Sequence, residues 1–73
     1  MTGTVSSISE TAGGMTVRVI TGYTLPPVVE PIVEVIASVE PEWARVALRG
    51  AVGKNVTIEQ APDGTITKTT VRA

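Results

Sequence analysis

Cβ branching dominates the larger side chains of this sequence: Val and Ile supply 18 of its 73 residues and Thr another 11, against two Leu and no Phe. Branching at Cβ restricts χ1 against the preceding turn of a helix but fits a pleated strand. The sequence therefore predicts a mainly β fold. Its core must be built from Val and Ile with Met15, Leu25, Trp43 and Leu48, because only 3% of residues are aromatic.

The 73 residues give room for one domain. A domain of this size buries only ~60% of the surface its unfolded chain exposes. Small folds often add a disulfide, a metal or a second subunit to make up the margin. Cys and His are both absent, which removes disulfides and the usual zinc ligands. Self-association or docking on a partner is the expectation, with unusually tight packing as the alternative.

Alternation places the elements. Residues 4–10 read as a strand and Thr11–Gly14 as a turn. In the run from Met15 to Thr21, Met15, Val17 and Val19 share one face opposite Thr16 and Arg18. Residues 22–31 form an extended loop bearing Pro26 and Pro27. Between Val28 and Gly50 two periods compete. β-branching favours a strand over 31–39. Pro41, Glu42, Ala44, Ala47 and Leu48 favour a short helix over 41–49, closed by Gly50. Gly50–Asn55 is a connector. Asn55–Gln60 and Thr65–Val71 are strands joined by Pro62-Asp63-Gly64, where Pro presets φ and Gly takes the left-handed position.

The resulting order, β-β-β-α-β-β, resembles that of an OB-like five-stranded barrel in element order alone. A small antiparallel barrel or sandwich of about five strands is the expected architecture. A six-stranded all-β fold, or ββααββ, is what the 31–49 ambiguity leaves open.

Residues that could carry chemistry are sparse. Ser6, Ser7, Ser9 and Ser38 have no His to activate them. Lys54 or Lys68 would need deep burial to act as a base. Glu30 and Glu34 would neighbour one another on a helix, and Glu40 and Glu42 on a strand. Solvated surface charge accounts for all four. Gly50-Ala51-Val52-Gly53-Lys54-Asn55 has two residues between its glycines where a phosphate-binding loop has four, and Asn follows its Lys. Asn55-Val56-Thr57 matches a glycosylation acceptor, a coincidence in a chain without a secretion signal. No catalytic activity, cofactor or metal is expected.

Net charge is −1, so no long-range field draws the protein to nucleic acid or anionic lipid. The halves differ: residues 1–42 carry five Glu against Arg18, and residues 43–73 carry five bases against Glu59 and Asp63. An OB-like module for nucleic acid or glycan would need stacking aromatics and a basic groove. Tyr23 and Trp43 are the only aromatics. Met1–Ser7 has neither a basic region nor an apolar run, so a cytoplasmic or virion setting is expected rather than secretion. Leu25–Val39, broken by Glu30 and Glu34, is too short to span a bilayer.

The loop at 22–31 is the most informative feature. Tyr23, Leu25, Val28 and Val29 are too apolar for a segment left in water. Either the loop folds back over its own barrel or it reaches a neighbour. The expected function is a non-catalytic structural or assembly protein, such as a small virion or shell component. Its partner would be itself or a larger protein assembly, and its candidate interface Tyr23, Leu25, Val28, Val29 and Trp43. A regulator or inhibitor docking on another protein is the remaining alternative.

Overall fold

A computed structural model describes residues 1–72. It contains β1 (Thr2–Thr11), β2 (Gly14–Tyr23), β3 (Pro31–Ile36), α1 (Glu42–Leu48), β4 (Asn55–Gln60) and β5 (Ile66–Arg72). The order is the β-β-β-α-β-β expected. Residues 31–36 are strand and 42–48 helix, so neither the sixth strand nor a second helix forms among the described residues.

All four ladders are antiparallel and belong to one open sheet, β3-β2-β1-β4-β5. The second layer of a sandwich is absent from the described residues, and no ladder joins β3 to β5. The physical reason lies in β3. It ends after six residues, and the Val39 N–H then bonds the Met15 carbonyl at 3.0 Å instead of continuing beside β5. The two edges are linked by one bond beyond the end of β3, from the Ile66 N–H to the Glu40 carbonyl at 2.9 Å.

Three bulges bend the sheet and reset its alternation. Val5 faces Val19 while Ser7 faces Arg18, so Ser6 is an extra residue in β1. Thr21 is the extra residue in β2 and Thr67 in β5. Strict alternation would send Val5 and Ile8 to opposite faces. The bulge at Ser6 returns both to the core side, with Ile8 opposite the buried Val17. In β5, Thr67 does the same for Ile66 and Thr69.

One face of the sheet carries the core. Met15, Val17 and Val19 from β2 meet Val5 from β1, Val56 and Ile58 from β4, and Ile66 from β5, all essentially inaccessible to solvent. α1 covers this layer with Ala44 and Leu48, four residues apart on one helix face. Burying each larger aliphatic side chain contributes about 1.5–3 kcal/mol.

α1 starts one residue later than expected. Pro41 occupies the N-cap position in extended geometry, and Glu42 is the acid of the first turn. Arg45 donates from its guanidinium to the Val39 carbonyl at 2.9 Å, tying the helix to the chain that enters it. Arg49 and Gly50, the latter at φ 76°, end the helix in a tight turn closed by the Ala51 N–H on the Leu48 carbonyl at 3.1 Å. The connector continues in a second turn and is pinned to β1, the Gly53 N–H bonding the Val5 carbonyl at 2.9 Å.

The β4–β5 turn forms as read: the Gly64 N–H reaches the Ala61 carbonyl at 2.9 Å, with Gly64 at φ 92°. Gly3 has a different role. A Cβ there would lie 2.9 Å from both the Ile20 carbonyl carbon and Val19 Cγ1, closer than any Cβ tolerates. Only glycine lets β1 pass β2 at this point.

Candidate interaction surface

β2 outlasts its partner β1. The last β1–β2 pair is Thr4 with Ile20, after which Gly22 pairs Ile32 and Tyr23 pairs Pro31. The end of the β2–β3 hairpin thus projects as a two-stranded ribbon, and the molecule extends 40 Å along its long axis against 24 Å across.

Thr24 clasps the tip of this ribbon. Its N–H donates to the Glu30 carbonyl at 2.8 Å. Its hydroxyl donates to the Val28 carbonyl at 2.9 Å and accepts from the Glu30 N–H at 2.8 Å. Those bonds close residues 24–30 into a defined loop that holds its apolar side chains outward. Nothing in residue type or spacing marked Thr24 for this role.

Every residue from Tyr23 to Val35 is exposed. Leu25 is 84% accessible, Tyr23 and Val28 62% each, and Val29 59%. The loop does not lie over the core, which β1, β2, β4, β5 and α1 complete without it, so Leu25 and the half-exposed Trp43 are not the core residues that hydrophobicity suggested. Behind the tip, Ile32, Val33 and Val35 of β3 are exposed as well. Val33 lies opposite Ile20 and Val35 opposite Arg18, on the face away from the core.

The structure brings together four of the five candidate interface residues and separates the fifth. Tyr23, Leu25, Val28 and Val29 share the hairpin tip. Trp43, 47% exposed with Val46 beside it one turn on, stands on α1, which follows the segment bonded to Met15. Met15 and Tyr23 are at opposite ends of β2, roughly 26 Å apart at the rise of an extended strand. Sequence reasoning grouped these five by hydrophobicity and could not see that distance. It also passed over Ile32, Val33 and Val35 as interface candidates, reading Val33 and Val35 as one face of a strand alternating with Glu34.

Elsewhere the exposed large apolar side chains are Trp43, Val46 and Val52. Two open clefts of about 350 and 260 Å³ share Ser38 and Glu40 and lie among the β1–β2 turn, residues 35–40, Arg45 and the β4–β5 turn. Two of their carboxylates, Glu10 and Asp63, are engaged. Arg49 grips Glu10 with both arms of its guanidinium, at 3.1 and 2.6 Å. That hydrogen bond, more than the accompanying charge attraction, holds the Glu10 carboxyl below its ordinary range and Arg49 above its own. Asp63 is lowered chiefly by the Thr65 backbone N–H, 2.9 Å from its Oδ1. Groups held ionised in this way are poor proton donors near neutral pH.

The paired carboxylates proposed from spacing are not paired in space on one element: Glu30 is in the tip loop and Glu34 on β3, while Glu40 precedes α1 and Glu42 opens it. Among the described residues no group of three or more metal-binding side chains converges, and no helix is long and apolar enough to cross a membrane.

Compared with protein-family models, with curated proteins and with solved structures, the chain matches none.

Proposed function

We propose that this protein is a non-catalytic structural or assembly component that associates with itself through the β2–β3 hairpin. A subunit of a small shell or particle is the kind of role such a surface serves. The observation that carries the reading is the unbroken exposed run from Tyr23 to Val35, most of it apolar and its tip fixed by Thr24. Soluble monomers rarely show so large a continuous apolar surface. The core gains nothing from this segment, so its hydrophobicity serves something outside the fold.

The sheet is read as an OB-like barrel left open between β3 and β5. The sequence of ladders and the single bond from Ile66 to Glu40 support it. Such a barrel would use its β1–β2 and β4–β5 turns for nucleic acid or glycan. Here that end presents Glu10, Glu40 and Asp63 with Arg45, a setting that repels a phosphate backbone, so the assembly reading stands first.

Light scattering over a range of protein and salt concentrations tests it. Wild type is expected above monomer mass, and changing Leu25 and Val29 together to Ser is expected to lower that mass. A wild-type mass equal to the monomer at every concentration, or a double variant that assembles unchanged, would overturn the reading.

A further inference from the structure

The sheet's two edges differ in how they are protected. β5 carries Lys68 and Arg72 with a bulge at Thr67, features that discourage edge-to-edge pairing. β3 has one charge, Glu34, among exposed Ile32, Val33 and Val35. One side of β3 is bonded to β2, which leaves the other as a row of N–H and C=O groups with no ladder partner among the described residues. Such an edge is a template for another strand.

We propose that β3 pairs antiparallel with β3 of a second copy about a two-fold axis through Val33, joining two sheets into one. The proposal rests on the assembly reading and names its contact. A two-fold axis normal to the sheet keeps each residue on its own face, so it must pass through a residue that meets its own copy. Within β3 the choices are Ile32, which aligns only residues 31–33, and Val33, Glu34 and Val35. An axis at Glu34 sets two carboxylates opposite one another, which destabilises a strand pair. An axis at Val35 aligns only residues 34–36, and Ile36 is already buried. An axis at Val33 aligns residues 31–35 and sets each Glu34 opposite Ile32.

The area suits a second copy. Tyr23, Leu25, Val28, Val29, Ile32, Val33 and Val35 together expose roughly 700 Å², against ~800 Å² per partner in a standard interface. The same register carries each hairpin tip toward the other copy's α1, where Trp43 stands half exposed. The apolar groups separated within one chain would then approach one another between two.

The chain's lack of Cys allows a clean test. Single variants Val33→Cys, Val35→Cys and, on the opposite edge, Thr70→Cys are oxidised at matched concentration and resolved on a non-reducing gel. Opposed residues of an antiparallel pair stand close enough for a disulfide. Val33→Cys is expected to form covalent dimer at least tenfold faster than either control. Val33→Lys should abolish the dimer while leaving the circular dichroism spectrum of the monomer intact. If wild type is oligomeric but Val33→Cys links no faster than the controls, or Val35→Cys links first, this pairing is wrong and the assembly reading survives. If wild type is a monomer throughout, both fall.

Discussion

The β2–β3 and β4–β5 hairpins are built from the same materials and use them in opposite ways. Each is antiparallel, each contains one bulge, and each draws mainly on Val, Ile and Thr. In β4–β5 the apolar residues Val56, Ile58 and Ile66 face inward, while Thr57, Glu59, Lys68 and Thr70 face outward. In β3 the apolar residues fall on both faces, and only Ile36 is buried. The difference lies in cover. α1 and the connector close over the β4–β5 end of the sheet, and nothing among the described residues covers the far end of β3. β-Branched residues therefore declare strand in both hairpins but declare core in only one.

Truncation to Ala in each hairpin should separate the two roles. Ile58→Ala empties a fully buried position and is expected to cost about 2–5 kcal/mol of unfolding free energy. Val35→Ala, on the exposed edge, should cost less than about 0.5 kcal/mol in dilute solution. Urea melts of the two variants below the association concentration make the comparison. Similar losses would mean that β3 contributes to the core.

A smaller effect, of opposite sign, belongs to β5. The bulge at Thr67 turns Thr69 to the core side, where its hydroxyl oxygen is buried with no hydrogen-bond partner among the described residues. Replacing an unsatisfied buried group with an apolar one of similar shape removes a desolvation penalty. Thr69→Val is expected to stabilise the fold by about 1 kcal/mol, read as a higher urea midpoint with an unchanged slope. A lower midpoint would show that the hydroxyl has a partner in solution.

The smallest effect concerns the ion pair between the β1–β2 turn and the end of α1. The folded-state pKa of Glu10 lies below its unfolded value. Its contribution is therefore present above the unfolded pKa and fades as pH falls through the folded one. Carboxyl-carbon NMR titration should place Glu10 below the ordinary glutamate value, and Arg49→Met should raise it. Because both side chains are exposed, added salt should weaken the shift.

Much of the fold was legible in residue order. Clean alternation from Met15 to Val19 placed β2 and its buried face, and Pro62-Asp63-Gly64 placed the β4–β5 turn. Competing periods over 31–49 resolved as the β-branching of Val33, Val35 and Ile36 and the helix formers Ala44, Ala47 and Leu48 suggested. The bulges were not legible, because an extra residue in a strand has no compositional mark. Only the three-residue spacing of Val5 and Ile8 hinted at one. Barrel closure was equally hidden, since it depends on where the chain turns after Ile36. In the candidate surface, hydrophobicity alone marked the tip residues. The Thr24 clasp, the exposure of β3 and the distance of Trp43 from the tip are facts of three-dimensional placement.

The junction between the hairpins has a mechanical consequence. β1 pairs with β2 over most of its length but with β4 only at Thr2, Gly3 and Thr4. That short seam sits where Gly3 passes the Ile20 carbonyl. If subunits were joined through β3 and pulled, tension entering along β2 would run into β1 and reach β4 and β5 across this seam. In such a pull the seam would be the shortest ladder in the path, three pairs flanked by the Met1–Ile58 and Val5–Gly53 backbone bonds.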